Sequence, residues 1–173
     1  MCIWTQGCSK RCKGCISPEL QPFSGRETDE SVLANIIIQV ARNNGCKGIT
    51  LSGGDPFEQP QALLKLLKLL RRDFDDILVY TGFKLADIQS GSMGNDAKMC
   101  LDFLDVLIDG KYVDELNFAD CALRGSANQK LHFFNKGLAS IYDEYMKRGR
   151  TLESFVHNQD TIVIGIFNKE EAK

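Results

Sequence analysis

Short apolar runs alternate with longer amphipathic stretches along this chain. Residues 1–5 are apolar enough to form the end of a strand. Residues 16–27, with Pro18, Pro22 and Gly25, follow neither periodicity and predict an extended connection. Thr28 offers a cap for a helix over about 29–44, in which Val32, Leu33, Ile36, Ile37 and Val40 fall on one face and Gly45 ends the pattern. Ile49-Thr50-Leu51-Ser52 predicts a buried strand. Pro60 opens a leucine-rich helix reaching Arg71 or Arg72. Its leucines at 63, 64, 66, 67, 69 and 70 wrap more than one face, which places the helix between a sheet and its neighbours.

The second half continues the alternation. Residues 77–80 predict a third strand, followed by Thr81-Gly82-Phe83 and a helix from near Lys84. Residues 89–96 predict a flexible surface loop, and a short helix around 97–103 leads to a strand at 105–108. Asp109-Gly110 and another helical turn follow. Residues 121–123 predict a fifth strand, then come a polar run at 124–129, a helix near 136–148 and a last strand at 161–167 that would extend the sheet. Such an order predicts an α/β fold with a mostly parallel sheet covered by helices. No internal repeat or low-complexity stretch divides the chain. Its 173 residues are expected as a single domain, too short for a complete eight-fold barrel.

Composition removes several classes of function. A formal charge of −2 supplies no basic field for nucleic acid. No apolar run approaches a membrane span, and no signal-peptide pattern is visible. Seven cysteines, an odd number without the spacing of a disulfide framework, fit a reducing cytoplasm.

Three of those cysteines, Cys8, Cys12 and Cys15, lie in the string C-S-K-R-C-K-G-C. A structural zinc site closes its tetrahedron with a fourth protein ligand. Three thiolates alone suit an iron–sulfur cube with one iron left open to a small molecule. A zinc knuckle completed by Cys2, Cys46, Cys100, Cys121, His132 or His157 is the competing reading, and the spacing alone leaves both open. Lys10, Arg11 and Lys13 would favour thiolates over thiols. Cys46, Cys100 and Cys121 otherwise read as small apolar residues, and the two histidines as ordinary polar ones.

The loops at the carboxyl ends of the strands are where such sheets bind ligands. Gly53-Gly54 allows close backbone approach to a ligand, and Asp55 offers a carboxylate for an ammonium group. With the C-x3-C-x2-C loop, the string S-G-G-D-P at Ser52, Gly53, Gly54, Asp55 and Pro56 resembles the radical S-adenosylmethionine (SAM) superfamily. The later strings Y-T-G-F-K-L, L-I-D-G-K-Y-V-D-E-L and L-R-G-S-A-N-Q resemble, within it, the activating proteins of anaerobic ribonucleoside-triphosphate reductase. The resemblance covers about residues 1–130, in order.

It implies a partial (β/α) barrel of the radical SAM type and a [4Fe–4S] cluster on Cys8, Cys12 and Cys15. SAM is expected on the fourth iron, to be reductively cleaved to methionine and a 5′-deoxyadenosyl radical. Gly14, Cys15 and Ile16 would line the SAM site, with Gly53, Gly54 and Asp55 near its methionine end. Arg124, Ser126, Asn128 and Gln129 are candidate contacts to SAM or partner. The implied substrate is a backbone glycine of the large glycyl-radical subunit, and the implied electron donor a flavodoxin or ferredoxin. Members of this family usually carry a longer leader with a G-P-G turn, whereas seven residues precede Cys8 here, so either the start is truncated or misassigned, or the first strand is short. Residues 131–173 form an extension beyond the matched core. A radical SAM enzyme for another peptide or a small molecule, and a non-catalytic metal-binding docking module, are the competing functions.

Overall fold

The computed structural model describes residues 1–25, 27–158 and 160–166. Five strands form the main sheet: β1 (Cys2–Thr5), β2 (Gly48–Gly53), β3 (Asp76–Tyr80), β4 (Val106–Asp109) and β5 (Lys130–Phe133), in that spatial order. The first four are parallel and β5 pairs antiparallel to β4. This is the mixed α/β, mostly parallel architecture expected. The sheet is open, ending at β1 on one side and β5 on the other.

Crossover helices cover one face. α1 (Glu30–Asn43), α2 (Pro60–Leu70), α3 (Leu85–Ser90) and α4 (Asn95–Cys100) pack there against Ile49, Leu51, Ile77, Val79 and Leu107. The α1 cap is Asp29 rather than Thr28: its Oδ1 accepts from the amides of Ser31 (2.8 Å) and Val32 (3.2 Å). The apolar face of α1 is also rotated from the expected one. Ala34, Ile37 and Ala41 are buried, whereas Val32, Ile36 and Val40 are 52%, 52% and 44% exposed. The two alanines let the helix backbone approach closely, and that turns the bulkier β-branched stripe outward. α2 behaves as expected, with Leu63, Leu64, Leu66, Leu67 and Leu70 buried and Leu69 exposed.

Three other expectations need correction. Residues 89–96 are not a long loop, because Gly91 (φ +78) caps α3 and Gly94 (φ +93) immediately precedes α4. Residues 121–123 form no strand: Cys121 and Ala122 are buried and Leu123 is half-buried, but Leu123 has φ +61, and its carbonyl accepts a hydrogen bond from the Tyr80 hydroxyl at 2.6 Å. The fifth strand is β5, ten residues farther along in approximate terms. The last strand does not extend the main sheet. β7 (Asp160–Gly165) pairs antiparallel with β6 (Leu152–His157) in a separate hairpin, and Phe167 lies outside the described residues.

The second face of the sheet is covered over only part of its width. α5 (Ala139–Lys147) sends Tyr142 into a small cluster with Leu78, Val106 and Ile108, bordered by Leu123, Leu131 and Phe133. Toward β1 and β2 this face opens into a cavity. Among the described residues no helix is long and apolar enough to cross a membrane.

Candidate cofactor site

Side-chain alternation places the cavity. On β2, Ile49 and Leu51 point into the helix layer, while Thr50 and Ser52 face the opposite way and line a cavity of about 710 Å³. Cys2 and Trp4 line it from β1, and Tyr80 from β3. The cavity continues to the carboxyl ends of the parallel strands, where Cys8, Cys12 and Cys15 border it.

The cysteine loop is fixed by its neighbours. Gly7 and Cys8 donate backbone hydrogen bonds to the carbonyls of Leu20 (2.8 Å) and Gln21 (2.9 Å), and Cys15 donates to Cys12 (3.3 Å). Gly54 and Asp55 donate to the carbonyls of Thr5 (2.8 Å) and Gly7 (3.0 Å). A Cβ on Gly54 would stand 2.5 Å from the Gly7 carbonyl oxygen. Gly54 therefore lets two chain segments meet, a role different from the ligand approach expected of it. The Gly-Gly-Asp turn and the cysteine loop are one unit.

Asp55 completes that unit. It is buried, and its carboxylate accepts from the Thr81 hydroxyl (2.9 and 3.2 Å), the Gly82 amide (2.9 Å) and the Phe57 amide (3.0 Å). Burial pushes its carboxyl above the usual aspartate range, against the pull of those three donors. Although it lines the cavity, Asp55 ties the β2 loop to the β3 loop, so its observed partners are protein donors rather than a free ammonium.

Glu58, which the sequence did not mark out, holds the cysteine loop from the other side. Its Oε1 accepts from the Ser9 amide (2.8 Å) and the Ser9 hydroxyl, with Lys10 Nζ at 3.5 Å. Burial would raise the Glu58 carboxyl, but the Ser9 donors and Lys10 together hold it below the usual range. Lys10 Nζ also sits over the Phe83 ring, 3.0 Å from its centroid. The signal was an acid three residues after the Asp55 cap, a spacing that usually serves the helix start itself. Here the acid turns to the neighbouring loop instead.

Two of the three basic residues expected to favour thiolates, Lys10 and Lys13, are therefore engaged elsewhere. Lys10 turns to Glu58, and Lys13 Nζ lies 3.7 Å from Glu115. Burial pushes the Cys8 thiol up, with Asp55, Glu58 and Cys12 adding to the shift. Burial likewise raises Cys12, opposed first by Lys111, which comes from the loop after β4.

The donor chemistry separates the two metal readings. A tetrahedral zinc, with Zn–S bonds of about 2.3 Å, needs its thiolates within about 4 Å of one another. Among the described residues, the one triad of ligand atoms lying within 4.8 Å of one another is Cys8 with Asp55 and Glu58, whose carboxylates already accept protein hydrogen bonds. Cys8, Cys12 and Cys15 do not converge to that spacing. A four-iron cube hangs its thiolates on different irons and so accepts a wider set. Among the described residues, Cys2 is the one candidate fourth zinc ligand that shares the cavity. Cys100 and Cys121 are buried elsewhere, and Cys46 packs against the helix-side core. His132 Nε2 lies 3.1 Å from Asp109, and the His157 side chain is outside the described set. All seven cysteines are free thiols. The residues present fit an iron–sulfur cluster better than a zinc ion.

Gly14, Cys15, Ile16, Gly53, Gly54 and Asp55 all border the same cavity. The polar run farther on is more self-contained than expected. Ser126 Oγ accepts from the Val113 amide (3.1 Å), and Asn128 donates to the Lys111 carbonyl (2.8 Å). Gln129 accepts from Gly125 (2.8 Å) and donates to Gly110 (2.8 Å), while Arg124 donates to the Gln129 carbonyl (3.3 Å). Of these four residues, Gln129 borders the cavity.

Comparison with known proteins gives this geometry a family. Residues 1–132 match a 4Fe-4S single cluster domain. A protein of Haemophilus influenzae named anaerobic ribonucleoside-triphosphate reductase-activating protein is 34% identical over 138 residues, covering 76% of this chain and 86% of that protein. Proteins of the same name in Escherichia coli strain K12 and Enterobacteria phage T4 are 32% and 30% identical, each over 75% of this chain and over 85% and 80% of their own lengths. No solved structure matches. The matched region contains the cysteine loop, the Gly-Gly-Asp turn and the four parallel strands that carry them, and the chain belongs to the anaerobic ribonucleoside-triphosphate reductase-activating protein family, built on a 4Fe–4S single cluster domain.

Proposed function

We propose that this protein is a radical SAM activating enzyme that generates a glycyl radical on anaerobic ribonucleoside-triphosphate reductase. Cys8, Cys12 and Cys15 would hold the [4Fe–4S] cluster, and SAM would bind between them and the turn at Gly53, Gly54 and Asp55. The observation that carries this reading is the placement of those three half-buried free cysteines and that turn on a single cavity at the carboxyl ends of the parallel strands. A cluster bound there supplies the single electron that cleaves the sulfonium carbon–sulfur bond of SAM.

The chain's own residues supply the positioning. Asp55 fixes the relation of the β2 and β3 loops, and Glu58 sets the start of the cysteine loop. Thr50, Ser52 and Trp4 line the cavity on the side of β1 and β2. The open sheet serves as a partial barrel, and residues 1–173 act as one domain, in which α5 of the C-terminal extension backs part of the second face. Seven free thiols suit a reducing cytoplasm, and a flavodoxin or ferredoxin is the donor class that fits a one-electron step.

Anaerobic reconstitution should give about four irons and four sulfides per chain. Dithionite should then release 5′-deoxyadenosine from SAM, and Cys12→Ala should abolish it. Incubation with SAM and the reductase should produce a glycyl-radical EPR doublet. Stoichiometric zinc without iron would overturn the assignment.

A further inference from the structure

The segment beyond the matched region behaves in two different ways. α5 is committed to packing, with Tyr142 buried edge-on to Phe133 at 5.6 Å and its hydroxyl on Asp76 at 3.0 Å. The β6–β7 hairpin instead presents apolar side chains to solvent. Leu152, Val156 and Val163 are 41%, 72% and 42% exposed. The register pairs Leu152 with Gly165, Ser154 with Val163 and Val156 with Thr161, so alternation puts all six on one face.

A two-stranded ribbon is marginal on its own and needs an anchor. Arg150 provides it, immediately before the hairpin. Its guanidinium donates to the carbonyls of Cys121 (3.3 Å), Arg124 (3.1 Å) and Gly125 (3.2 Å) and to Asn117 Oδ1 (2.7 Å). Asn117 and Gly125 border the cavity. At the far end of β7, Gly165 and Ile166 border it too. Gly165 has φ +151, and a Cβ there would stand 2.6 Å from Leu152 Cδ2 and 2.7 Å from the Thr151 carbonyl, so the strands close tightly at this rim. The exposed apolar face is therefore continuous with the cavity wall.

We propose that this face of the hairpin, carrying Leu152, Val156 and Val163, is the docking surface for the protein substrate and guides an extended segment of it to the cavity mouth. The inference rests on the reading that the substrate is a protein. A backbone glycine can reach the cavity only if its parent protein seats on the rim. Apolar residues stand at that rim on both sides, with exposed Ile16 on the cysteine loop and Gly165 and Ile166 on the hairpin. Association buries such residues in preference to charged ones. A second copy of this chain seated on the same face would close the mouth against the substrate.

The test uses the reconstituted full chain and the large subunit of the reductase, with binding measured in the absence of SAM. Val156→Asp with Val163→Asp, and separately Val156→Lys with Val163→Lys, should each weaken binding at least tenfold. Glu153→Gln, on the opposite face, should leave it unchanged. Circular dichroism and thermal melts should match the wild type for all three, and 5′-deoxyadenosine release with dithionite alone should stay within twofold. If both double variants bind within twofold of wild type, the docking surface is wrong. Sedimentation showing a wild-type dimer that the double variants split, with reductase affinity unchanged, assigns the face to a second copy and also overturns the proposal. Failure of SAM cleavage by the wild type would count against the enzymatic reading, whereas the binding comparison still decides the docking surface.

Discussion

The two faces of the main sheet are built from the same strands and do opposite work. Ile49 and Leu51 of β2 bury themselves in the helix layer, while their neighbours Thr50 and Ser52 face a cavity. β1 divides in the same way, with Ile3 toward the helices and Cys2 and Trp4 toward the cavity. Across β3 and β4 both faces are apolar, because α5 covers the second one. Stability is thus concentrated on the helix face and chemistry on the uncovered part of the other. Substitutions on the two faces should separate accordingly.

The largest loss should come from the helix face. Leu67 is fully buried between sheet and helices, and Leu67→Ala removes apolar contact and leaves a cavity. Chemical denaturation should show a cost of about 2–5 kcal/mol. A smaller value, near that of a surface change, would mean that α2 does not organise the core.

Next comes the seam between the faces. Asp55→Ala strands the Thr81 hydroxyl and the Gly82 and Phe57 amides in a buried setting, at an expected cost of about 3 kcal/mol. Asp55→Asn keeps one acceptor oxygen and should recover part of the loss. Denaturation of the protein without metal is the informative measurement, because it isolates the brace from any cofactor. Equal melting of Asp55→Ala and wild type would remove the brace from the account of the site.

Much of this division was legible in the sequence, and the failures have physical causes. The cysteine spacing and S-G-G-D-P could be placed at strand ends because β1 and β2 are short and clearly bounded. Ile49-Thr50-Leu51-Ser52 reads as a buried strand, whereas Thr50 and Ser52 line the cavity. Small hydroxyl residues look the same whether they pack in a core or floor a cavity. α1 was turned the wrong way because hydrophobicity outranked size, whereas Ala34 and Ala41 decide how close the helix can come. Residues 121–123 are apolar, with Cys121 and Ala122 buried, but a left-handed Leu123 cannot be seen in composition. Glu58 and Arg150 were missed for a different reason: both act across long sequence separations, Glu58 on Ser9 and Arg150 on Cys121.

A pH series sharpens the comparison within the second face. Asp76 lies under α5, and burial raises its carboxyl above the ordinary value of 3.8, with the Tyr142 hydroxyl opposing and Asp105 adding. The folded state therefore holds this proton more tightly than the unfolded chain. Stability contributed by the protonated group is fully present below the ordinary value and declines as pH rises through the folded one. Asp76→Asn cannot titrate, so the wild type should lose ground relative to it from about pH 4 upward and level off once the group is ionised. The change should be smaller than that of Asp55→Ala, because Asp76 keeps some contact with solvent. A flat difference curve would show that α5 leaves this end of the sheet open to water.

The smallest expected effect is the most discriminating. Thr50→Val keeps the β-branched shape and the strand, and exchanges a hydroxyl that faces the cavity for a methyl group. On the helix face, changing the polarity of one buried side chain would be felt throughout the core. At Thr50 the neighbours are Cys2 across the β1 register, Leu78 across the β3 register and the open cavity, and the isosteric methyl keeps both lateral contacts, so stability should change by no more than about 0.5 kcal/mol. Affinity for SAM, measured by isothermal titration on the reconstituted protein, should nevertheless shift several-fold, because the cavity floor has lost a hydrogen-bonding group. A stability change as large as that of Leu67→Ala would place Thr50 in the core and erase the distinction between the faces. An unchanged stability together with an unchanged affinity would keep the faces distinct but move the SAM site off the β2 floor, toward the cysteine loop alone.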